Sequence, residues 1–329
     1  MHYKSITRER WDETIKDLLS SHDVFASLRN EFGQDYEFIS SEDIPDIIYN
    51  EPKPVTSLKN FFLPVKENVT SDRETERPRI IIGAPNCDIE ALSLLDEIYL
   101  DKDFDDHFYR NRRENTILIG SDCKGIQEHC HCLSYGIRPF PTKIADLAIF
   151  LLDGNVILRI LSDQGEDFIN RIPDATDINE ENLLQSIDTE HSITESLLEN
   201  ANKGLPDYIR TGEIVRNAGT EIWKKYSATC VSCGACATIC PTCTCFLLID
   251  KPGFEKVKQL DACQYPGFER VAGGEDALFS LSSRFRNRYM CKYVWKPEKF
   301  QPVACTGCGR CIEACIGKIN KNDLFMELA

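Results

Sequence analysis

One run of cysteines constrains this chain more than any other feature of its sequence. It reads C-V-S-C-G-A-C-A-T-I-C-P and ends at Pro241, so its thiols have the spacing C-x2-C-x2-C-x3-C. Proteins use this spacing to hold cuboidal iron–sulfur clusters. Three thiolates two residues apart can surround one cluster, whereas the fourth faces away from it and needs a second cluster. The run therefore predicts a partner run elsewhere in the chain.

A run with the same spacing, C-T-G-C-G-R-C-I-E-A-C, begins at residue 305. Each run is expected to lend its last cysteine to the cluster of the other run. The first 4Fe-4S cluster is then expected on Cys230, Cys233, Cys236 and Cys315. The second 4Fe-4S cluster is expected on Cys305, Cys308, Cys311 and Cys240. Structural zinc is the alternative, although zinc usually takes separate C-x2-C pairs.

The composition indicates the surroundings in which these cysteines work. Sixteen cysteines occur in 329 residues, and the charged N-terminal stretch has no apolar segment of a secretory signal. Such cysteines are more often ligands in a reducing compartment than disulfides, so we expect a cytoplasmic protein. The net charge of −15 disfavours nucleic acid and an anionic membrane, because both need a basic surface. Protein and small-molecule partners remain.

A second group of cysteines follows two predicted strands. The apolar runs at 79–83 and 116–120 read as buried parallel strands of a β-α-β unit. Loops that follow parallel strands open at the same edge of a sheet. Four thiols lie just beyond these strands, the number that a third 4Fe-4S cluster requires, on Cys87, Cys123, Cys130 and Cys132. Two alternatives stay open: buried apolar thiols, and a zinc site assisted by His129 or His131.

Other cysteines follow the first run. We interpret Cys243, Cys245 and Cys263 as neighbours that adjust cluster potentials, with ligation as the alternative. The segment 282–300 is basic, with six cations against Glu298 alone: Arg284, Arg286, Arg288, Lys292, Lys296 and Lys299. Positive charge near an anionic cluster would raise its potential. A basic surface loop is an equal interpretation of this segment.

Two domains are expected in a chain of this length. Residues 1–205 are predicted to form an α/β domain with a partly parallel sheet, including a hairpin around the D-G turn at 153–154. Residues 206–329 are predicted to form a mainly helical, ferredoxin-like domain with two clusters. The turn-forming N-K-G-L-P at 202–206 marks the boundary, and one helix is expected over 207–226.

The sequence resembles the electron-transfer beta subunits of cytoplasmic sulfhydrogenase-type nickel–iron hydrogenases and their iron–sulfur counterpart in anaerobic sulfite reductase. The resemblance is carried, between Arg79 and Ile319, by N-C-D-I-E-A-L, H-C-H-C, C-P-T-C-T-C-F, A-C-Q-Y-P-G-F-E-R-V-A-G-G, R-F-R-N-R-Y and both cysteine runs. Cys291, where a histidine is usual, and Ile316, where a proline is usual, depart from the family pattern. The resemblance implies relay of electrons between two partner chains, with a flavin-containing NAD(P)H-reactive subunit on one side and a catalytic metal subunit on the other.

The function predicted from the sequence is therefore that of an iron–sulfur electron-transfer subunit in a cytoplasmic multi-subunit oxidoreductase. No nucleotide-binding glycine motif follows a strand, so flavin and substrate chemistry are expected on partner chains, and no catalytic residue is assigned. Two alternatives remain. The chain could itself reduce a small disulfide or sulfur compound at Cys243, at Cys245 or at the N-terminal cluster, or it could be a zinc-stabilised interaction protein.

Overall fold

The computed structural model describes residues 2–70, 77–178 and 181–329. An eight-stranded mixed sheet with the order β3-β2-β5-β6-β7-β8-β1-β9 forms the N-terminal part, and a three-stranded sheet with the order β10-β11-β4 lies nearer the C-terminal cysteines. The strands are β1 (His2–Thr7), β2 (Asp23–Asn30), β3 (Gly33–Phe38), β4 (Lys66–Asn68), β5 (Arg79–Pro85), β6 (Thr116–Ser121), β7 (Leu147–Leu152), β8 (Asn155–Ile160), β9 (Thr176–Asp177), β10 (Phe246–Lys251) and β11 (Glu255–Leu260).

Helices cover both faces of the large sheet and make up much of the C-terminal part. The α-helices are α1 (Arg8–Leu18), α2 (Lys59–Phe62), α3 (Asn86–Tyr99), α4 (His107–Glu114), α5 (Asp163–Ile169), α6 (Glu181–Ala201), α7 (Tyr208–Asn217), α8 (Thr220–Ser227), α9 (Ala235–Thr238), α10 (Leu281–Met290), α11 (Lys296–Lys299), α12 (Arg310–Glu313) and α13 (Lys321–Leu328). A π-helical turn, Cys291–Trp295, joins α10 to α11.

The apolar runs become central strands because both of their faces are covered. Successive side chains of a strand point to opposite faces. Ile80 and Ile82 accordingly pack with α1 and α5 in one core, whereas Ile81 packs with α3 and α4 in the other. Continuous apolar sequence is typical of strands buried on both faces. The predicted α/β domain with a partly parallel sheet is confirmed.

The predicted β-α-β unit is also present. Strands β5 and β6 pair in parallel and are joined by α3 and α4. The segment 143–161 forms the expected antiparallel hairpin of β7 and β8, and Asp153 and Gly154 both have positive φ at its turn. A two-residue turn in which both residues have positive φ matches the right-handed twist of the flanking strands. The carboxyl ends of β5 and β6 therefore lie side by side.

The C-terminal part differs from the prediction in two places. The helix expected over 207–226 is two helices, α7 and α8, because Ala218 and Gly219 between them are extended. The hairpin of β10 and β11 was not predicted, and β11 pairs with β4 from the first third of the chain. The cysteine-rich region is therefore joined to residues before 205 by a shared sheet.

Candidate iron–sulfur sites

One cavity is lined by the thiols expected for the first cluster, namely Cys230, Cys233, Cys236 and Cys315. Aromatic side chains of α10, Phe285 and Tyr289, form part of its wall. Cys233 is exposed, as are Val231, which lines the same cavity, and Ile316, which directly follows Cys315. The fold thus brings the two distant runs together at one cavity that reaches the surface.

The thiols expected for the second cluster lie deeper. Cys240, Cys305 and Cys308 are all buried. Two buried groups connect the ends of the two runs: the Thr242 hydroxyl donates to the Ala304 carbonyl over 2.6 Å, and the Lys292 ammonium donates to that carbonyl over 2.8 Å. Cys308 also interacts electrostatically with Cys240 and Cys311. The last cysteine of the first run therefore lies beside the second run.

Lys292 is the closest cation to a proposed ligand. Its Nζ donates to the Cys240 Sγ over 3.0 Å and to the Thr242 Oγ1 over 2.7 Å. The Cys243 thiol hydrogen bond and the Lys292 charge, opposed by burial, hold the pKa of Cys240 well below its usual range. The side chain of Lys292 is only 2% exposed. The basic segment is therefore a buried helix at this point, and its interpretation as a surface loop is wrong there.

The four N-terminal cysteines line another cavity. Cys87 lies in the first turn of α3 directly after β5, and Cys123 lies two residues after β6. Both reach the same space as Cys130 and Cys132, together with Cys308 of the second run. Convergence at one edge of the parallel strands follows the geometry expected for such sheets. The cavities of the two cysteine regions are thus neighbours.

Two glycines allow this close approach. Gly307 and Gly309 have positive φ, at 66° and 78°. A Cβ at Gly307 would lie 2.6 Å from the backbone of Cys132, and one at Gly309 would lie 2.4 Å from the His129 carbonyl oxygen. Contacts this short do not occur for real side chains, so only glycine fits. The H-C-H-C loop is therefore pressed directly against the second run.

Buried ion pairs join the same two regions. The Arg310 guanidinium donates to both carboxylate oxygens of Asp88, over 2.5 and 2.7 Å, and neither side chain is more than 1% exposed. The Lys53 Nζ bonds to Glu313 over 2.7 Å and lies 3.9 Å from the Cys130 Sγ. Although burial opposes it, the charges of Cys130 and Glu313 raise the pKa of Lys53. Lys53 belongs to no sequence motif, and Asp88 stands in N-C-D-I-E-A-L without any feature that marks it as half of an ion pair, so sequence reasoning assigned a role to neither.

His131 is not free to bind a metal. Its Nδ1 lies 2.7 Å from the His129 carbonyl oxygen, and its Nε2 lies 2.8 Å from the Lys321 Nζ. An ammonium can only donate, so Nε2 accepts and Nδ1 carries the proton. Burial and the Lys321 charge lower the pKa of His131 well below its usual range. The alternative of a zinc site assisted by His131 is therefore wrong.

The chemistry of the buried thiols fits a cationic metal group. Burial raises the pKa of Cys87 and Cys123, raises that of Cys132 and Cys308 to about 12, and raises that of Cys236 to about 11. Without a partner these thiols would stay protonated at neutral pH. A bound metal deprotonates a coordinating thiol outright and supplies the missing positive charge. Both cavities can therefore hold an iron–sulfur cluster through their own cysteines.

Two features are absent from the described residues. No group of three or more His, Cys, Asp or Glu side chains in the described ranges has the geometry for a single metal ion. No helix among residues 2–70, 77–178 and 181–329 is both long and apolar enough to span a membrane.

Comparison with known proteins agrees with this arrangement. Residues 229–319 match the family described as 4Fe-4S dicluster domain. The chain is 28% identical over 341 residues to the sulfhydrogenase 2 subunit beta of Pyrococcus furiosus, and the alignment covers 100% of this chain and 98% of that protein. The similarity therefore includes residues 1–78, beyond the segment that carried the resemblance. The chain is therefore similar over its whole length to a hydrogenase-type beta subunit, and its residues 229–319 have the sequence pattern of a 4Fe-4S dicluster domain.

Proposed function

We propose that this chain relays electrons inside a cytoplasmic multi-subunit oxidoreductase, between a catalytic metal subunit of the hydrogenase or sulfite reductase type and a flavin-containing NAD(P)H-reactive subunit. Three 4Fe-4S clusters are proposed, on the two crossed cysteine sets and on the N-terminal set. The similarity to a hydrogenase beta subunit over the full length supports work within a complex. When bound, the clusters would supply one-electron carriers.

The observation that carries this proposal is the contact between the cysteine sets. Cys308 lines the cavity of the N-terminal set, and Cys311 lines the cavity of Cys230, Cys233 and Cys236. Each set therefore touches the next one through residues of the second run. A protein that only needed zinc for stability would have no reason to place three thiol sets in contact. Such continuity is what a relay requires.

The difference in exposure between the cysteine sets supports the first set as the site where electrons are exchanged with a partner subunit. Cys233 is exposed, whereas three cysteines of the second set are buried. Val231, two residues before Cys233, and Ile316, directly after Cys315, are 61% and 66% exposed. Apolar residues around a redox group suit a partner surface, since the centre of a protein interface is poorer in charge than its rim. We therefore expect this exposed edge of the cavity to contact one partner subunit.

The two parts of the chain would hold different clusters. Residues 1–205 would hold the N-terminal set on the sheet, and residues 206–329 would hold the crossed sets. Hydrogen bonds and buried cations of this chain would orient the thiols and set the potentials. Flavin and substrate chemistry would belong to the partner chains.

The experiment is anaerobic purification of the complex from its native source, with identification of the accompanying chains by mass spectrometry. Iron and acid-labile sulfide would then be measured in the wild-type chain and in Cys236→Ser, Cys240→Ser and Cys123→Ser. Each variant is expected to lose about four irons, the content of one cube. A preparation without iron and sulfide would refute the relay. If Cys236→Ser and Cys240→Ser lose iron but Cys123→Ser keeps the wild-type iron content, the N-terminal cluster is refuted.

Turnover separates the remaining alternative. A relay subunit is expected to show no steady reduction of a small disulfide with an artificial electron donor when it is purified alone. Steady turnover that disappears in Cys245→Ser would instead identify the chain as a reductase.

A further inference from the structure

The four cysteines that belong to none of these sets lie close to one another. The Cys263 thiol lowers the pKa of Cys245, and Cys243 and Cys291 both interact electrostatically with Cys245. These residues come from three separate parts of the C-terminal region. With the three sets above they account for all sixteen cysteines of the chain.

The backbone holds the first two of these thiols together. Cys245 directly precedes β10, and Asp261 directly follows β11, so both lie at the open end of the hairpin. The Asp261 N–H donates to the Cys245 carbonyl over 2.9 Å, which places Cys263 two residues beyond this bond. The Cys245–Cys263 contact is thus fixed by strand pairing rather than by flexible side chains.

Helix α10 and the π-helical turn position the fourth cysteine of this group, Cys291. Arg284 and Gln264 exchange two hydrogen bonds, in which the Arg284 Nε donates to the Gln264 carbonyl over 3.2 Å and the Gln264 Nε2 donates to the Arg284 carbonyl over 2.7 Å. Cys291 is seven residues beyond Arg284, which is about two helical turns and therefore the same face. Its position begins the π-helical turn, a feature that occurs frequently at functional sites.

The charges around this group require an anion. The Lys59 Nζ donates to the Cys243 carbonyl over 3.1 Å, and the Lys296 Nζ donates to Thr242 and Thr244. Lys292 lies beside the same loop, Arg288 donates to the Cys236 carbonyl in α9, and both side chains are buried. Among the residues that the structure describes, none of these four cations has an ion pair with a carboxylate. Buried charges are normally paired or balanced by a metal group.

We propose that Cys243, Cys245, Cys263 and Cys291 form a fourth thiolate site, which takes an iron–sulfur cluster. Four thiolates on such a cluster carry net negative charge, and this charge balances the cations that have no carboxylate partner. Arg288 lines the cavity of the first proposed cluster and Lys292 contacts Cys240 of the second, so the fourth site would balance Lys59 and Lys296. The site adjoins the other sets, since Cys243 hydrogen-bonds to Cys240 and Cys263 interacts with Cys236. It rests on the proposed iron–sulfur relay and adds a branch to it.

The test uses the full-length chain, purified anaerobically with its partners. Cys263→Ser and Cys291→Ser are compared with Thr244→Ala, a control in the same loop that keeps all sixteen thiols. Both cysteine variants are expected to lose the iron and sulfide of one cluster, two or four of each, while Thr244→Ala keeps the wild-type content. Mössbauer and electron paramagnetic resonance spectra should retain the signals of the other clusters, which shows that the variants have folded.

Three results would overturn this inference. Iron content could remain at the wild-type value in both cysteine variants. One zinc per chain could be lost in place of iron. Mass spectrometry of the anaerobic protein could find a disulfide between Cys245 and Cys263. In each case iron on the other sets would leave the relay intact, whereas absence of iron from the wild-type chain would refute the relay itself.

Discussion

The C-terminal cysteines and the N-terminal cysteines reach their sites by different routes. The two runs hold their thiols through spacing along the chain, and their helices α9 and α12 have only four residues each. The N-terminal thiols converge because the parallel strands β5 and β6 end side by side. Charge differs as well: four cations near Cys240 and Cys243 have no carboxylate partner within 2–70, 77–178 and 181–329, whereas Lys53 beside Cys130 is paired with Glu313. A short motif therefore depends on its cofactor for order, whereas the N-terminal set depends on the sheet.

The largest expected effect concerns removal of iron. We expect chelation under oxidising conditions to leave β5 and β6 protected from hydrogen exchange, because their isoleucines are buried in cores that contain no cysteine ligand. Amides in 229–319 should exchange much faster, because four-residue helices are unstable without a packed core or a bound group. Hydrogen-exchange mass spectrometry measures both regions in one sample. Equal loss of protection in β5 and β6 would contradict the distinction.

The second prediction concerns the link between the regions. Arg310→Met leaves the Asp88 carboxylate buried and unpaired, and breaking a buried pair in this way costs about 3–5 kcal/mol. Glu298→Gln is the control, because its pair with Arg216 is exposed and such pairs contribute at most about 1 kcal/mol. Opening free energies of the α3 amides from native-state hydrogen exchange would measure the effect. Similar values for both variants would show that this buried pair does not join the regions.

The third prediction concerns the cation-rich side. Lys292→Gln removes a positive charge that lies 3.0 Å from the Cys240 Sγ. Loss of this charge disfavours the reduced form of a cluster there, because the reduced form is the more negative one. We expect its midpoint potential to fall by about 60 mV, which corresponds to a tenfold change in a one-electron equilibrium. A redox titration followed by electron paramagnetic resonance would show this. Lys299→Gln, at an exposed position of the same segment, should leave the potential unchanged.

The smallest expected effects concern the N-terminal set. Lys53→Gln should lower the potential of a cluster at Cys130, Glu313→Gln should raise it, and the double variant should return close to the wild-type value. Each single shift should be smaller than that of Lys292→Gln, because Lys53 lies 3.9 Å from its sulfur rather than 3.0 Å, and Glu313 is 40% exposed and screened by water. The same redox titration measures all three variants. Shifts that add instead of cancelling would mean that the two charges act on different groups.

Much of this arrangement could be predicted from sequence because it depends on local patterns. The apolar runs at 79–83 and 116–120 indicated buried strands, and the rule for parallel strands then placed Cys87 near Cys123. The structure confirms this partly parallel sheet. The crossed assignment of Cys240 and Cys315 remains a prediction, although the structure brings each of them beside the opposite run.

The parts that could not be predicted are those made by contacts distant in sequence. Lys53 and Lys59 stand in a stretch without a motif, yet their ammonium groups reach residues 260 and 184 positions away. The run F-L-L-I at the start of β10 is as continuously apolar as the buried strands β5 and β6, yet its side chains are exposed, so its sequence does not indicate its position at a sheet surface. Cys291 lies in a basic segment where nothing local connects it with Cys245.

The pairing of β4 with β11 has a practical consequence for anyone who divides this protein. The C-terminal fragment of residues 206–329 would keep the hairpin of β10 and β11 but lose β4 (Lys66–Asn68). Strand β11 would then present an unsatisfied backbone edge to solvent. With the exposed apolar strand β10 on its other side, the remaining two-stranded ribbon would invite self-association. Truncation studies of the cysteine-rich part should therefore retain the segment around β4, for instance by fusing it back through a short linker.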